Sequence, residues 1–394
     1  MQSMDPINFK FKHVIIRVDF NVPLDSNLNV VDDMRITESL PSIDHIIDDG
    51  GIPIILSHLG RPSGSQERKY SLSSVAKYLQ KKFGYNVIFA DDCIGPSAIA
   101  AKERAKPGDV VMCENLRYHQ GEKTNDMEFA KELAKLGDCY VNDAFGTVHR
   151  YHASIHALPS LFEQRYVGKS VQFELEYLNN ALQNPRPPYV AVIGGAKITG
   201  KIEVIRALIN QCDKVLIGGG MMFTFLKAMG YNIGRSIYEE DKIPLAKELV
   251  DLSNEKGKVL MLPTDVVIAD RFAADADALT VPVDRIPSDW IGMDIGEDTI
   301  KKYKEAIYQA HTITWNGPMG VFEFNKFARG TKQIGYALAN ATSEGSITII
   351  GGGDSAAAMK KMHLINKVTH LCPGGGAWLK YMEGGELPGI EALK

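Results

Sequence analysis

A chain of 394 residues exceeds what one ordinary hydrophobic core supports, so two domains of similar size are expected. With 45% hydrophobic and 23% charged residues, no apolar run of transmembrane length and a formal net charge of -4, the composition argues against a membrane protein and a nucleic-acid binder. Five cysteines without a C-x-x-C pair read as reduced thiols rather than a disulfide framework or zinc site, and without a secretory leader pattern the expected compartment is the cytoplasm.

The first half alternates β-branched apolar runs, HVIIRVDFN, GIPIILSHLG, NVIFADD, VVMCENLR and CYVNDAFG, with helical patterns such as SLSSVAKYLQKKF and MEFAKELAKL. That rhythm predicts an α/β fold with a doubly wound parallel sheet, whose ligands sit beyond the carboxyl ends of the strands. At those ends stand Arg17, Asp19, His58, Arg61, Arg117, His149, Arg150 and His152, and Arg35 opens the helix after VVDDM. Each alone reads equally as a surface ion-pair partner. Together, so many guanidiniums on one edge of a slightly acidic chain point to a small, multiply anionic ligand.

The helical pattern GKSVQFELEYLNNAL runs into QNPRPP, which must end a helix, and the domain boundary is expected at 168–188. The rhythm then resumes with YVAVIGG, KVLIGGG, KVLMLPTDVVIA, HTITWNGPMG, SITIIGGGD and VTHLCPGGG, predicting a second α/β domain. Four of these runs end in glycines, at 194–195, 218–220, 351–353 and 374–376. They read either as tight strand-to-helix turns or as one shelf of bare amides for a nucleotide.

The stretch GAKITGKI matches a P-loop except at Ile202, which has no hydroxyl for a magnesium ion, so a P-loop is excluded. Lys197 and Lys201 are expected on one face at the start of a helix. There they are either two solvated cations or a pair whose repulsion a polyphosphate relieves. Asp354 reads as a helix cap or as a magnesium ligand, and Glu323 as a helix-start carboxylate or a ribose contact. No H-R-D loop or Ser/His/Asp motif supplies a general base, which suits a carboxylate acceptor that is already ionised.

The motifs RVDFNVP, SHLGRP, ENLRYH, NDAFGTVHRYHAS, GGAK followed by Lys201, GGGMMFTFLK, WNGPMGVFE and GGGDS resemble those of 3-phosphoglycerate kinase, in that family's order over essentially the whole chain. The resemblance implies a cytoplasmic monomeric glycolytic enzyme, dependent on Mg2+, that transfers a phosphoryl group reversibly between ATP and the carboxylate of 3-phosphoglycerate. The products are ADP and 1,3-bisphosphoglycerate. It implies two domains of similar size joined by a hinge helix, with a cleft between them: 1–170 for the acid, 171–188 as helix and linker, 189–377 for the nucleotide, and a tail, 378–394, returning to the first domain.

By matching position, Asp19, Asn21, Arg35, His58, Arg61, Arg117 and Arg150 are implied to hold 3-phosphoglycerate, with Arg35 also at the phosphoryl group in flight. Lys197 and Lys201 are implied at the nucleotide phosphates and the transferred group, and Asp354 at the metal. Gly195, Gly219, Asn316, Pro318, Val321 and Glu323 are implied around the nucleoside, and Gly352, Gly353, Ser355, Gly375 and Gly376 near phosphoryl oxygens, with Gly353 and Gly376 counted as catalytic.

The chain departs from the family pattern at Gly200, where Asp is usual between the lysines, and at Cys372, Pro373, Trp378 and Lys380. The altered 372–380 segment motivates a second reading, a nucleotide and phosphoglycerate binder with impaired catalysis. A nicotinamide-dependent dehydrogenase is disfavoured because no G-x-G-x-x-G follows the first strand.

Overall fold

The computed structural model describes residues 1–63, 66–372 and 374–394, so Pro373 lies outside the described residues. The chain forms two compact units, Met1–Glu176 with Glu386–Lys394, and Tyr177–Gly385. The division falls inside the helix Lys169–Leu182, within the 171–188 expected as helix and linker. The part of the tail that groups with the first unit begins at Glu386 rather than at 378, because 378–382 still belong to the helix Gly375–Met382, whose Trp378 is fully buried in the second unit.

In the first unit, β1 (His13–Val18), β2 (Ile52–Leu56), β3 (Asn86–Ala90), β4 (Asp109–Cys113), β5 (Cys139–Asp143) and β6 (Arg165–Val167) form one sheet in the order β3-β4-β2-β1-β5-β6. Every pairing is parallel. β2 is buried at each residue, which is why its sequence, IPIIL, is a continuous apolar run rather than an alternating one, while β5 is equally buried but ends in the polar Asn142 and Asp143 at the carboxyl edge. After β1 the chain moves toward β2, and after β5 toward β6, so the carboxyl ends of β1 and β5 flank a switch point where side chains from diverging loops converge.

The second unit repeats the plan. It contains β7 (Tyr189–Ile193), β8 (Lys214–Ile217), β9 (Val259–Met261), β10 (Asp265–Ala269), β11 (Ala278–Pro282), β12 (Ile291–Ile295), β13 (Thr312–Asn316), β14 (Ile347–Gly351) and β15 (His370–Cys372). Six of these build a parallel sheet in the order β15-β14-β13-β7-β8-β9, with its switch point between β7 and β13.

The fold also holds a feature not expected from the sequence, a three-stranded antiparallel sheet in the order β11-β10-β12. The run KVLMLPTDVVIA, read as one strand, is divided between β9 of the parallel sheet and β10 of the antiparallel one. Pro263 between them has no N–H to continue a ladder. The redirected chain is pinned by Thr299, whose hydroxyl accepts from the amides of Thr264 (2.9 Å) and Asp265 (3.2 Å). In return the Asp265 carboxylate accepts from the amides of Asp298 (3.1 Å) and Thr299 (2.8 Å), capping the helix Glu297–Tyr308. Among the described residues no helix is long and apolar enough to cross a membrane.

Candidate active site

In the first unit the expected acid-binding residues meet at the carboxyl edge of the sheet. Asp19 and Asn21 follow β1, and Arg35 lies in the first turn of the helix Met34–Asp48. The Arg35 guanidinium donates to Asp19 Oδ2 (3.0 Å) and to the Asn21 carbonyl (3.2 Å). The Asn21 side chain in turn accepts from the Gly60 amide (2.8 Å), and the Gly60 carbonyl accepts from Arg117 Nη1 (2.7 Å). One polar lattice therefore joins the loops after β1, β2 and β4. Arg61 and Arg150 are exposed at its border.

Arg17, also at a strand end, serves differently. It is fully buried and donates to Ser154 Oγ (2.9 Å) and to the Val18 carbonyl, and its Nη2 lies 3.2 Å from His58 Nδ1. It braces the site from beneath rather than facing a ligand.

The electrostatics are those of a site short of negative charge. Burial, with the neighbouring Arg17 and Arg150, brings Arg117 down to about 10. Burial and the guanidiniums of Arg17, Arg117 and Arg35 hold His58 well below its ordinary value. His149 falls to about 4 through burial and Arg150, and His152 to about 3 through burial, Arg117 and Arg17. The three imidazoles are thus neutral donors or acceptors at pH 7, while the arginines keep their charge. Asp19 Oδ1, Arg117 Nε, His149 Nδ1 and His152 Nδ1 are buried without a hydrogen-bond partner. Such a concentration of unmade bonds is costly unless a ligand completes them.

In the second unit a cavity of about 430 Å³ opens beside the β7–β13 switch point. Gly195, Gly219, Pro318, Val321, Glu323 and Asp354 line it, as the sequence led one to expect of a nucleotide pocket. Its apolar walls also include Phe223, Ile237, Phe272, Ile291 and Met293, none of them foreseen. No signal distinguishes such side chains from core residues in a sequence, and Ile291 and Met293 belong to the unexpected strand β12.

Glycine is required where the turns of this unit crowd each other. Gly219 has φ +67°, and a Cβ there would come within 2.4 Å of the Gly195 nitrogen. Gly352, at φ +101°, caps the helix Gly353–Lys361 and would press a Cβ on the Asn316 side chain. Gly353 and Asp354 are exposed in the first turn of that helix, and Gly376 is exposed in the first turn of Gly375–Met382, whose Gly375 packs closely on Gly352. Both helix starts present amides that have no partner within the helix.

Lys201 is the charged residue of the switch point. Its Nζ donates to the carbonyls of Gly194 (2.6 Å) and Asn316 (3.4 Å), one at the end of each flanking strand. Burial pushes its ammonium down to about 8, against the pull of the Asp354 carboxylate.

Lys197 does not share its helix face, contrary to expectation. The helix begins at Ile202 with Lys201 as its cap, and 194–200 are loop, because the Glu239 carboxylate accepts the amides of Ile198 (2.6 Å) and Thr199 (3.1 Å) and holds them in a turn. Lys197 is exposed on that loop.

Asn316 and Ser355 are buried and support the site from behind. The Asn316 amide donates to the Gly351 carbonyl (2.7 Å), and the Ser355 hydroxyl accepts from the Gly317 amide (2.7 Å).

Three of the departures can be placed. A Cβ at Gly200 would touch nothing, so its missing side chain leaves no cavity. Trp378 is fully buried and fits because Gly351 lacks a side chain, a Cβ there lying 2.4 Å from the indole. Lys380 pairs with Glu383 at 3.1 Å.

Residues 4–385 match the family model for phosphoglycerate kinase. The phosphoglycerate kinases of Prosthecochloris aestuarii and Chlorobaculum tepidum are each 50% identical over 392 residues, covering 100% of this chain and 99% of each relative. Among solved structures, phosphoglycerate kinase from Coxiella burnetii superposes with a TM-score of 0.85 at 38% identity, covering 99% of this chain and 97% of that one. The enzyme from Pyrococcus horikoshii gives 0.86 at 29% identity, covering 100% and 98%. With both switch points furnished and matches of this length, the chain belongs to the phosphoglycerate kinase family.

Proposed function

We propose that this chain transfers a phosphoryl group reversibly between ATP and the carboxylate of 3-phosphoglycerate, yielding ADP and 1,3-bisphosphoglycerate. The observation that carries the reading is the lattice of Asp19, Asn21, Arg35 and Arg117, with its unmade hydrogen bonds and with His58 Nδ1 3.8 Å from Asp19 Oδ1. A small acid bearing phosphate at one end and carboxylate at the other answers arginine charge and buried donors together. Arg61 and Arg150, exposed at the border, are assigned to the same ligand.

On the second unit the adenosine is assigned to the cavity bounded by Gly219, Pro318 and Val321, with Glu323 at the ribose and Gly195 beside the phosphates. The amides at 353–354 and 375–376 are assigned to the phosphoryl oxygens, the Gly352 amide being taken by the Cys372 carbonyl (3.1 Å), and Lys197 and Lys201 are assigned the positive charge. Asp354 suits Mg2+, since that ion is held by one or two carboxylates together with substrate phosphates and water, and this carboxylate is exposed on the cavity wall. When bound, the ion offsets phosphate charge.

Arg35 is assigned to the group in transit. It is held by Asp19 and the Asn21 carbonyl, so its orientation exists before substrate arrives. The acceptor is a carboxylate, ionised at pH 7, so no general base is required and positioning with charge neutralisation supplies the catalysis. A coupled assay on the purified chain should show turnover that needs ATP, 3-phosphoglycerate and Mg2+ together. Folded protein without turnover under those conditions rejects the proposal.

A further inference from the structure

Away from both switch points, the far end of the first unit's sheet brings together Asp92, Cys93 and His119. Their donor atoms all lie within 4.8 Å of one another. Asp92 and Cys93 follow β3, and His119 follows the short turn Leu116–Tyr118 after β4, the strand paired to β3 with Ala90 opposite Cys113. The trio comes from two segments 26 positions apart, so no spacing motif marks it in the sequence.

We infer that Asp92, Cys93 and His119 form a binding site for a thiophilic divalent cation of the zinc class, with the fourth position left to water. Carboxylate, thiolate and imidazole are the donors such an ion takes, whereas Mg2+ and Ca2+ keep to oxygen. The site is therefore chemically distinct from Asp354 in the other unit. A tetrahedral zinc ion needs donors about 3.3–3.7 Å apart, so no pair closes by more than about one ångström and the Asp92–His119 pair opens by less than that.

The arrangement allows that adjustment. His119 Nε2 and Asp92 Oδ1 are hydrogen-bonded at 2.6 Å and part to admit the ion, and the side chains of His119 and Asp92 are 28% and 36% exposed, leaving them room to rotate and a side open to solvent. Cys93 is 1% exposed, and its backbone amide donates to Asp92 Oδ1 at 2.6 Å, fixing carboxylate against thiol. The imidazole stacks on Phe129 at 5.2 Å, which sets the ring plane.

Binding exchanges bonds without redox change. The sulfur–metal bond replaces the Cys93 S–H, whose proton leaves to solvent, and the metal replaces the hydrogen held between Asp92 and His119, which moves to the other imidazole nitrogen or to solvent. Burial and the Cys113 and Asp92 groups raise the Cys93 thiol well above its ordinary value, so the metal must supply the ionisation.

The test uses the full chain, kept reduced with a phosphine and stripped of metal, titrated with Co2+ and then with Zn2+. The expected result is a thiolate-to-cobalt charge-transfer absorption that one equivalent of Zn2+ abolishes. Cys93→Ser should remove the absorption, His119→Gln should weaken Co2+ binding at least about tenfold, and Cys113→Ser should keep the absorption. A folded wild-type chain that shows no such absorption overturns the inference without any variant. So does absorption that survives in Cys93→Ser.

Discussion

Lys201 Nζ lies 2.6 Å from the carbonyl oxygen of Gly194, so the ammonium is held by the strand-end backbone before any phosphate arrives. Burial sets it at about 8. At about pH 8.5 a large share of chains therefore carry a neutral amine, and a polyphosphate beside it restores the ammonium. Nucleotide binding at that pH should take up protons, with uptake fading below about pH 7, where the amine is already charged. Calorimetry in buffers of different ionisation enthalpy measures this, and Lys201→Met should abolish the effect. Binding without proton uptake in the wild-type chain contradicts the placement.

Arg35→Ala should lower kcat by about 100-fold while leaving nucleotide affinity little changed, because Arg35 is bonded to Asp19 in the first unit's lattice and does not line the second unit's cavity. Turnover assays paired with nucleotide titration decide it. An equal loss in ATP binding would place Arg35 elsewhere.

Asp143 predicts how stability varies with pH. Its Oδ1 accepts from Ser42 Oγ and the Ser170 amide, both at 2.9 Å, while Oδ2 is buried without a partner, and burial raises the group to about 7. The folded chain keeps a proton that the unfolded chain releases from about pH 4 upward. Stability therefore falls as pH rises from about 4 to about 7, by at most on the order of 4 kcal/mol from this group. Glu38, raised to about 8 by burial and Glu174, acts in the same direction. Asp143→Asn retains an acceptor and should reduce the loss seen between urea titrations at about pH 5 and about pH 8. An unchanged difference refutes the assignment.

Gly351 and Trp378 should behave as one packing unit. Gly351→Ala places a methyl group against the indole and should cost about 1–3 kcal/mol, and Trp378→Ala should cost about 3–5 kcal/mol. In the double variant the methyl enters space the indole has left, so the combined loss should fall short of the sum. Strict additivity in denaturant titrations counts against the contact.

Both parallel sheets were legible because strands covered on two faces must be apolar throughout, as in IPIIL and YVAVI. The antiparallel sheet was not. In β11, ALTVP, only part of the surface is covered, so the segment looks like loop. The gathering of Asp19, Arg35 and Arg117 at one sheet edge could be anticipated because cations at strand ends need an anion to justify them. Arg17 shows the limit of that reasoning, since a buried guanidinium satisfied by Ser154 has the same letter and the same place at a strand end. The side chains shaping the second unit's cavity were invisible for a related reason, because Phe223 or Met293 is as apolar on a pocket wall as in a core. The helical placing of Lys197 failed because Glu239, 42 positions away, decides where the helix starts.

Glu386–Lys394 belongs to the first unit although the whole of the second is encoded before it. The Gly389 amide donates to the Val148 carbonyl at 2.8 Å, a Cβ on Gly389 would lie 2.7 Å from Ile155, and Leu387, Ile390 and Leu393 are buried. A ribosome making this chain therefore delivers nearly all of the first unit early, then withholds the piece that covers Val148 and Ile155 until the second unit has been synthesised. Order of birth and order of completion part company, and the first unit waits with an oily flank exposed while its neighbour is made.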